Sequence, residues 1–428
     1  MDLTPFDAAA ILIVLAAALG YLNQRFLHLP QSVGLTALGA IASLAVIGVD
    51  RLLPSSDLGP SVVRFVNAID FRATLMDGML SFLLFAGALH VDWNDMRRGR
   101  WPILALSTVG VLLSTFLIGG GFHLTAGAIG LNVPIAWCLV FGALISPTDP
   151  VAVIGALKTA NVTPTLEATV AGESLFNDGV GVVMFSIILE TALGGAAFAP
   201  GRALSLFAME AGGGVILGLV VGWIACRGMR TIDQYNVEIM LSLAVVMGGY
   251  ALAHHLHVSG PVAMAVAGLV IGNQGVKHAM SDTTRDYLLK FWSLIDDIFN
   301  AVLFLLIGLV VVTIPFDRKL ILAGVLAIPL ALAARAISVL LPLAGLRPLL
   351  SLGRLAPPTL IWGGLRGGIS IALALSLPQG SARSTVLAAT YVVVLFSVII
   401  QGGTIGRLLA WLEPRSANSD RSRIASDP

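Results

Sequence analysis

The chain has 428 residues, of which 57% are hydrophobic and 11% charged, and its formal net charge is +1. That composition excludes a soluble domain, the net charge argues nothing about nucleic acid, and no nucleic-acid partner is expected. The two cysteines, Cys138 and Cys226, both lie in apolar segments and make neither a disulfide framework nor a metal-ligand spacing.

Apolar runs of about 20 residues separated by short polar joints predict an all-α polytopic membrane protein. The runs are continuous rather than alternating, which argues against a membrane barrel. In chain order the expected spans are 6–22, 33–49, 73–90, 101–121, 133–157, 165–190, 204–226, 235–256, 259–273, 291–314, 320–342, 357–378 and 384–412. That is thirteen helices, an odd number that puts the two ends on opposite sides. No basic region precedes the first run, so it is expected to be a retained helix rather than a cleaved signal. The joint over 50–72 mixes acids and arginines and is expected to be a surface loop with a short amphipathic turn. The tail after Trp411 is polar and is expected to be disordered.

The joints also set the orientation. One side collects sixteen Lys and Arg, including Arg97, Lys158, Arg230 and Lys290; the other collects seven, including Arg64, Arg318 and Arg383. The richer side is cytoplasmic by the positive-inside rule. The C-terminus is then cytoplasmic and the N-terminus outside. Arg335 and Arg366 are left over, each inside an apolar span, and must have partners.

Span five contains Ser146-Pro147-Thr148-Asp149-Pro150. Two prolines three apart remove two backbone donors and free the carbonyls of Ala143 and Ser146. Unwound backbone at membrane depth survives only where it lines a cavity or is buried in protein, and transporters bind cations there. Asp149 sits next to the N-terminus of the following half-helix, whose partial positive charge favours a carboxylate.

Span six carries Gly172-Glu173-Ser174-Leu-Phe-Asn177-Asp178-Gly179. Ionisable groups at this depth are costly and mark an ion or substrate pathway. Glu173 and Asn177 are four apart on one helix face; Ser174 and Asp178 share the neighbouring face. The Ser174 hydroxyl then lies one turn below the Asp178 carboxylate, a pattern of oxygen ligands suited to a hard cation. A polar seam gluing helices together is the bland alternative.

Further along, His254, His255 and His257 cluster at the outer end of span eight and suit a membrane interface, with pH sensing as the rarer use. Asp296 and Asp297 suit a helix start, with an ion funnel as the lesser reading. Span twelve reads Trp362-Gly-Gly-Leu-Arg366-Gly-Gly-Ile-Ser370, a second weak point without proline. Two interrupted spans in corresponding places suggest an inverted repeat over spans 4–6 and 11–13. Arg366 needs an anion. Glu173 is the expected partner, and Arg335 is the competitor for it.

Taken together, Ser146-Pro-Thr148-Asp149-Pro150, Gly172-Glu173-Ser174-Leu-Phe-Asn177-Asp178-Gly179 and Trp362-Gly-Gly-Leu-Arg366-Gly resemble the NhaP/NHE-type branch of the monovalent cation/proton antiporters. The segment from Phe291-Trp292 to Gly308 is similar to that family's tenth helix, and the likeness covers nearly the whole chain. The resemblance implies a thirteen-helix fold with broken helices 5 and 12 and elevator-like alternating access. It implies a core domain over 101–190 and 320–412, an interface domain over 1–100 and 204–314, and a short cytoplasmic tail over 413–428. It implies a homodimer in the cell (inner) membrane, in contact with lipid.

Residue by residue, the resemblance makes Asp178 the shared ion and proton carrier. Thr148 offers its backbone carbonyl, Ser174 its hydroxyl and Asp149 a carboxylate. Glu173 and Arg366 form the buried ion bridge, and Asn177 holds Asp149 and the crossing of the broken helices. Na+ is then bound at Asp178, Asp149, Ser174 and Thr148, with Li+ or K+ as alternatives. The Asn177–Asp178 pair is similar to the branch regarded as electroneutral. Asn177 cannot titrate, so one proton against one cation is expected. The activity is transport of Na+ and H+ with no cofactor, not enzymatic chemistry.

Three rival readings remain at this point. An intramembrane aspartyl protease needs two facing aspartates, but its Gly-x-Gly-Asp setting is absent at Asp178. A channel would need a repeated filter. A sodium-coupled symporter of an organic solute shares the broken-helix logic and is the serious alternative.

Overall fold

The structure is a computed structural model. It describes residues 5–52, 62–66, 69, 71–160, 162–194, 200–276, 280–313, 317–346, 352–353 and 355–412. The tail from 413, most of the expected loop over 50–72, and Lys277, Arg347 and Arg354 of the charge count lie outside the described residues.

The described residues are helical, in the order α1 Pro5–Leu22, α2 Gln31–Leu52, α3 Thr74–Leu89, α4 Trp93–Arg98, α5 Arg100–Ala128, α6 Ile135–Ile145, α7 Val151–Thr159, α8 Pro164–Ala192 and α9 Pro200–Met229. There follow α10 Tyr235–His255, α11 Gly260–Val270, α12 Asp282–Leu309, α13 Arg318–Leu346, α14 Ala356–Trp362, α15 Gly368–Leu375, α16 Ser381–Phe396 and α17 Gly402–Leu412. Among the described residues, nine helices are long and apolar enough to cross a membrane. The chain is a multi-pass helical membrane protein.

Three departures from the sequence reading have local causes. The helix α12 starts at Asp282, well before the apolar run, because Ser281 caps it through the backbone N–H of Thr284. Its charged first turns escape an apolar-run criterion. The short α4 was not expected. It is a polar connector capped by the Asp92 carboxylate on the N–H of Asn94. Finally, the end of the chain's last span carries a single π-turn over Ser397–Gln401, which turns the Ser397 and Gln401 side chains toward the second break.

Two packing groups meet around the breaks. In one, α5, α6, α8, α13 and α16 pack together over Phe122, Phe141, Ile145, Phe185 and Ala327. In the other, α3, α9, α10, α11 and α12 enclose Phe85, Met264 and Trp292. The Trp292 indole is fully buried and donates to the Ser242 hydroxyl at 2.9 Å. Between the groups, α12 lies along α2, and Leu303–Ile307 shares one apolar core with Tyr391 and Val394.

Candidate ion-binding site

Span five is broken as its prolines require. The helix α6 ends at Ile145, α7 begins at Val151, and the residues between them are irregular. Span twelve breaks in the same way between Trp362 and Gly368. The two breaks cross. The N–H of Asp149 donates to the Leu365 carbonyl at 2.8 Å, a backbone bridge between them. Gly367 makes the crossing tight enough, since a Cβ there would overlap the Asp149 carboxylate.

Each break leaves one half-helix C-terminus with unpaired carbonyls, and each receives one of the two leftover arginines. Arg366 donates through Nη1 to the carbonyls of Ser146 at 2.5 Å and Pro147 at 3.0 Å, at the end of α6. Arg335 donates through Nε to the carbonyl of Leu360 at 2.9 Å, in the last turn of α14. A guanidinium suits that end, where the helix dipole is negative and carbonyls lack partners. The proline rule foresaw the free Ser146 carbonyl; its partner could not be read from spacing.

The expected Glu173–Arg366 bridge is therefore corrected. Glu173, only 2% exposed, is held by Arg335 in a two-pronged pair, Nη1 to Oε1 at 2.5 Å and Nη2 to Oε2 at 3.0 Å. Arg366 is committed to backbone carbonyls. The fork of Arg335 satisfies both carboxylate oxygens at once, which buried pairing demands. The competing partner named from sequence is the one the fold uses.

The role expected of Asn177 changes too. Its Nδ2 donates to the Thr148 hydroxyl at 2.7 Å, and its Oδ1 accepts from the Thr148 N–H at 3.4 Å. Asn177 thus grips the break at Thr148 rather than at Asp149. Asp149 is held instead by its own turn, its Oδ1 accepting from the N–H of Val151 at 2.9 Å and so capping α7.

The remaining site residues converge. Ser174 Oγ donates to the Thr148 carbonyl oxygen at 2.5 Å, which brings two of the expected ligands into contact. Asp178, Asp149, Thr148 and Ser174 all line one cavity of about 360 Å³. Asp178 is 7% exposed, and among the described residues no donor is placed on its carboxylate. Across the cavity stand Asp296, Asp297 and Asn300 of α12. Sequence reading had given the two aspartates a structural role; their place in the cavity wall favours the funnel reading instead. Exposed His90, Lys158 and Asp297 mark the mouth. His254, His255 and His257 are exposed at their helix end, as the interfacial reading expects.

Residues that sequence reasoning missed serve the breaks from behind. The Ser397 hydroxyl accepts from the N–H of Arg366 at 2.8 Å, and Gln401 Nε2 donates to the Trp362 carbonyl at 3.0 Å. Thr115 and Ser146 hydroxyls meet at 3.0 Å beside the first break. Nothing in local spacing could have signalled these, because each partner is more than thirty residues away.

The sodium/hydrogen exchanger transmembrane family model matches residues 12–411. A Na+/H+ antiporter named NhaP from Pseudomonas aeruginosa is 48% identical over 408 residues, covering 94% of this chain and 96% of that protein. One named NhaH from Halobacillus dabanensis is 34% identical, covering 93% and 96%. The sodium proton antiporter MjNhaP1 from Methanocaldococcus jannaschii superposes with a TM-score of 0.71 at 21% identity, over 96% of this chain and 99% of that one.

Proposed function

The chain belongs to the sodium/hydrogen exchanger family, and from that premise we propose that it exchanges Na+ for H+ by letting both compete for the Asp178 carboxylate. The observation that carries the proposal is a buried carboxylate with no donor among the described residues, set in the wall of a cavity beside Asp149, Ser174 and Thr148. A bare carboxylate at such depth is costly and takes up a proton or a cation. Relatives such as the Pseudomonas aeruginosa and Halobacillus dabanensis proteins are named as antiporters and give the symporter reading no support.

Competition at one carboxylate is enough to couple the two flows. The loaded site is neutral and moves across the apolar barrier cheaply. The empty, charged site does not, so uncoupled leak is suppressed. The site travels as part of a core domain, 101–190 with 320–412, against an interface domain, 1–100 with 204–314. The crossing of the two breaks supports rigid-body movement, because the Asp149–Leu365 bridge and the Asn177 grip tie the ligands together. Under the orientation set by the charge count, the cavity mouth at Lys158 and Asp297 opens to the cytoplasm. Two copies pair through the interface domain, and lipid covers apolar side chains such as Phe6, Trp223 and Leu341.

The test is cation-driven proton movement in proteoliposomes holding the purified chain, with a membrane-potential dye present. Sodium is expected to dissipate a pH gradient while the dye stays silent. A potential that develops with turnover would overturn the one-for-one stoichiometry. Sharing of Asp178 also fixes the pH response. Where the proton-loaded form dominates, half-saturating Na+ should fall about tenfold per unit rise in pH. A half-saturation independent of pH would show that ion and proton do not share a group.

Gly367→Ala is expected to lower exchange about tenfold or more, because the new methyl displaces the Asp149 carboxylate from the crossing. Initial rates of ΔpH dissipation read this. Gly201→Ala, at a glycine with nothing near its Cβ position, is the control and should leave the rate unchanged.

A further inference from the structure

Ser370 stands in the first turn of α15, three residues after its cap at Gly367. It is 1% exposed, it lines the Asp178 cavity, and among the described residues its hydroxyl has no hydrogen-bond partner. Several buried hydroxyls of this chain bond a backbone carbonyl three or four residues earlier, as Thr169 to Thr165 at 2.7 Å, Thr390 to Val386 at 2.7 Å and Ser338 to Arg335 at 3.1 Å, while Ser81 and Ser114 are unpartnered like Ser370 but do not line the Asp178 cavity. Ser370 makes no such bond. The residues three and four before it, Gly367 and Arg366, precede the helix and belong to the break. An unpaired hydroxyl costs stability when buried, so its place at the cavity wall calls for a ligand.

We propose that Ser370 Oγ is a further oxygen ligand of the transported cation and helps set which monovalent cation is preferred. The inference rests on the exchange reading above. Asp178, Asp149, the Thr148 carbonyl and the Ser174 hydroxyl are four oxygen-bearing groups, all from the first break and the helix beside it. Hard cations take roughly six oxygens. A hydroxyl from the second break brings the shell closer to that number. It is neutral, so it adjusts size and geometry without altering the charge carried. It also explains why a glycine pair precedes it: a Cβ at Gly367 would meet Asp149 and one at Gly368 would meet Leu303, and both must be absent for α15 to approach the cavity this closely. The cation is thereby gripped by both broken helices, and the two must move together when it is bound.

The test compares wild type, Ser370→Ala, Ser370→Thr and Asp178→Asn in proteoliposomes, with Na+ and Li+ titrated separately against proton movement. Loss of one neutral oxygen ligand should raise half-saturating Na+ by about 3–10-fold in Ser370→Ala, with a smaller change in maximal rate. The Na+/Li+ ratio of half-saturations should shift, and Ser370→Thr, which keeps the hydroxyl, should restore the sodium value. Unchanged half-saturations and an unchanged ratio would overturn the proposal, as would a fall in maximal rate alone. If Ser370→Ala fails to fold, Ser370→Cys keeps the volume with a poor ligand for a hard cation, and the sodium-dependent rise in melting temperature of the purified protein gives the same readout. Sodium-driven proton movement absent from wild type would instead refute the exchange reading itself.

Discussion

Asp178→Asn is expected to abolish sodium-driven proton movement while leaving the protein folded. Asparagine cannot take up the proton, so the proton half of the cycle is lost outright. It also removes a unit charge from the cation site. At about 4 Å and an effective dielectric near 20, that charge is worth about 4 kcal/mol, on the order of a thousandfold in cation affinity. Stability should not suffer. No donor among the described residues is placed on the Asp178 carboxylate, so no partner is orphaned, and a buried charge is removed. Melting temperature in detergent should therefore match or exceed wild type. Asp149→Asn is the informative contrast. Its Oδ1 caps the N–H of Val151, and asparagine keeps that acceptor. This variant should retain proton binding at Asp178 and bind sodium weakly. Full exchange by Asp178→Asn, or its collapse as an unfolded protein, would remove Asp178 from the centre of the mechanism.

The helical skeleton and the two breaks were legible because each follows from local rules: apolar run length, two prolines, a glycine cluster. The shared placement of Ser174 and Asp178 on the cavity wall was legible for the same reason, since they lie one turn apart on α8. What the sequence could not settle was which distant element each buried cation reaches. Glu173 and Arg366 flank the same site along the chain's logic of motifs, yet Arg366 is drawn to the Ser146 and Pro147 carbonyls by a need the prolines themselves created. That need was visible in the residues; the choice between a carboxylate and two carbonyls depended on reach, which only the crossing of the breaks defines. Asn177 shows the same limit, one residue off: it holds Thr148, whose N–H and hydroxyl face it together, while Asp149 turns to its own helix. Ser370 escaped notice because an ordinary serine in an apolar helix bonds its own backbone. Its lack of such a bond beside the cavity shows only in the folded chain.

The pairing of Glu173 with Arg335 carries the second large expected effect. Removing one member of a buried ion pair strands the other charge, at a cost of about 3–5 kcal/mol. Glu173→Gln and Arg335→Met should each lower the melting temperature and the yield of folded protein. Arg335→Met should be the worse of the two, because it also leaves the Leu360 carbonyl without its donor at the end of α14. The double variant removes both charges and should recover much of the loss. A double-mutant cycle separates this pair from its rival: coupling between positions 173 and 335 should reach several kcal/mol, while that between 173 and 366 should be far smaller. Arg366→Met should be costly for a different reason. It uncaps the end of α6 and lets the first break relax, so exchange should fall further than stability. If the cycle instead found its strong coupling between 173 and 366, the bridge would be the one the motifs suggest. The carbonyls of Ser146 and Pro147 would then need another donor, and the two arginines would have to exchange the half-helix ends they cap.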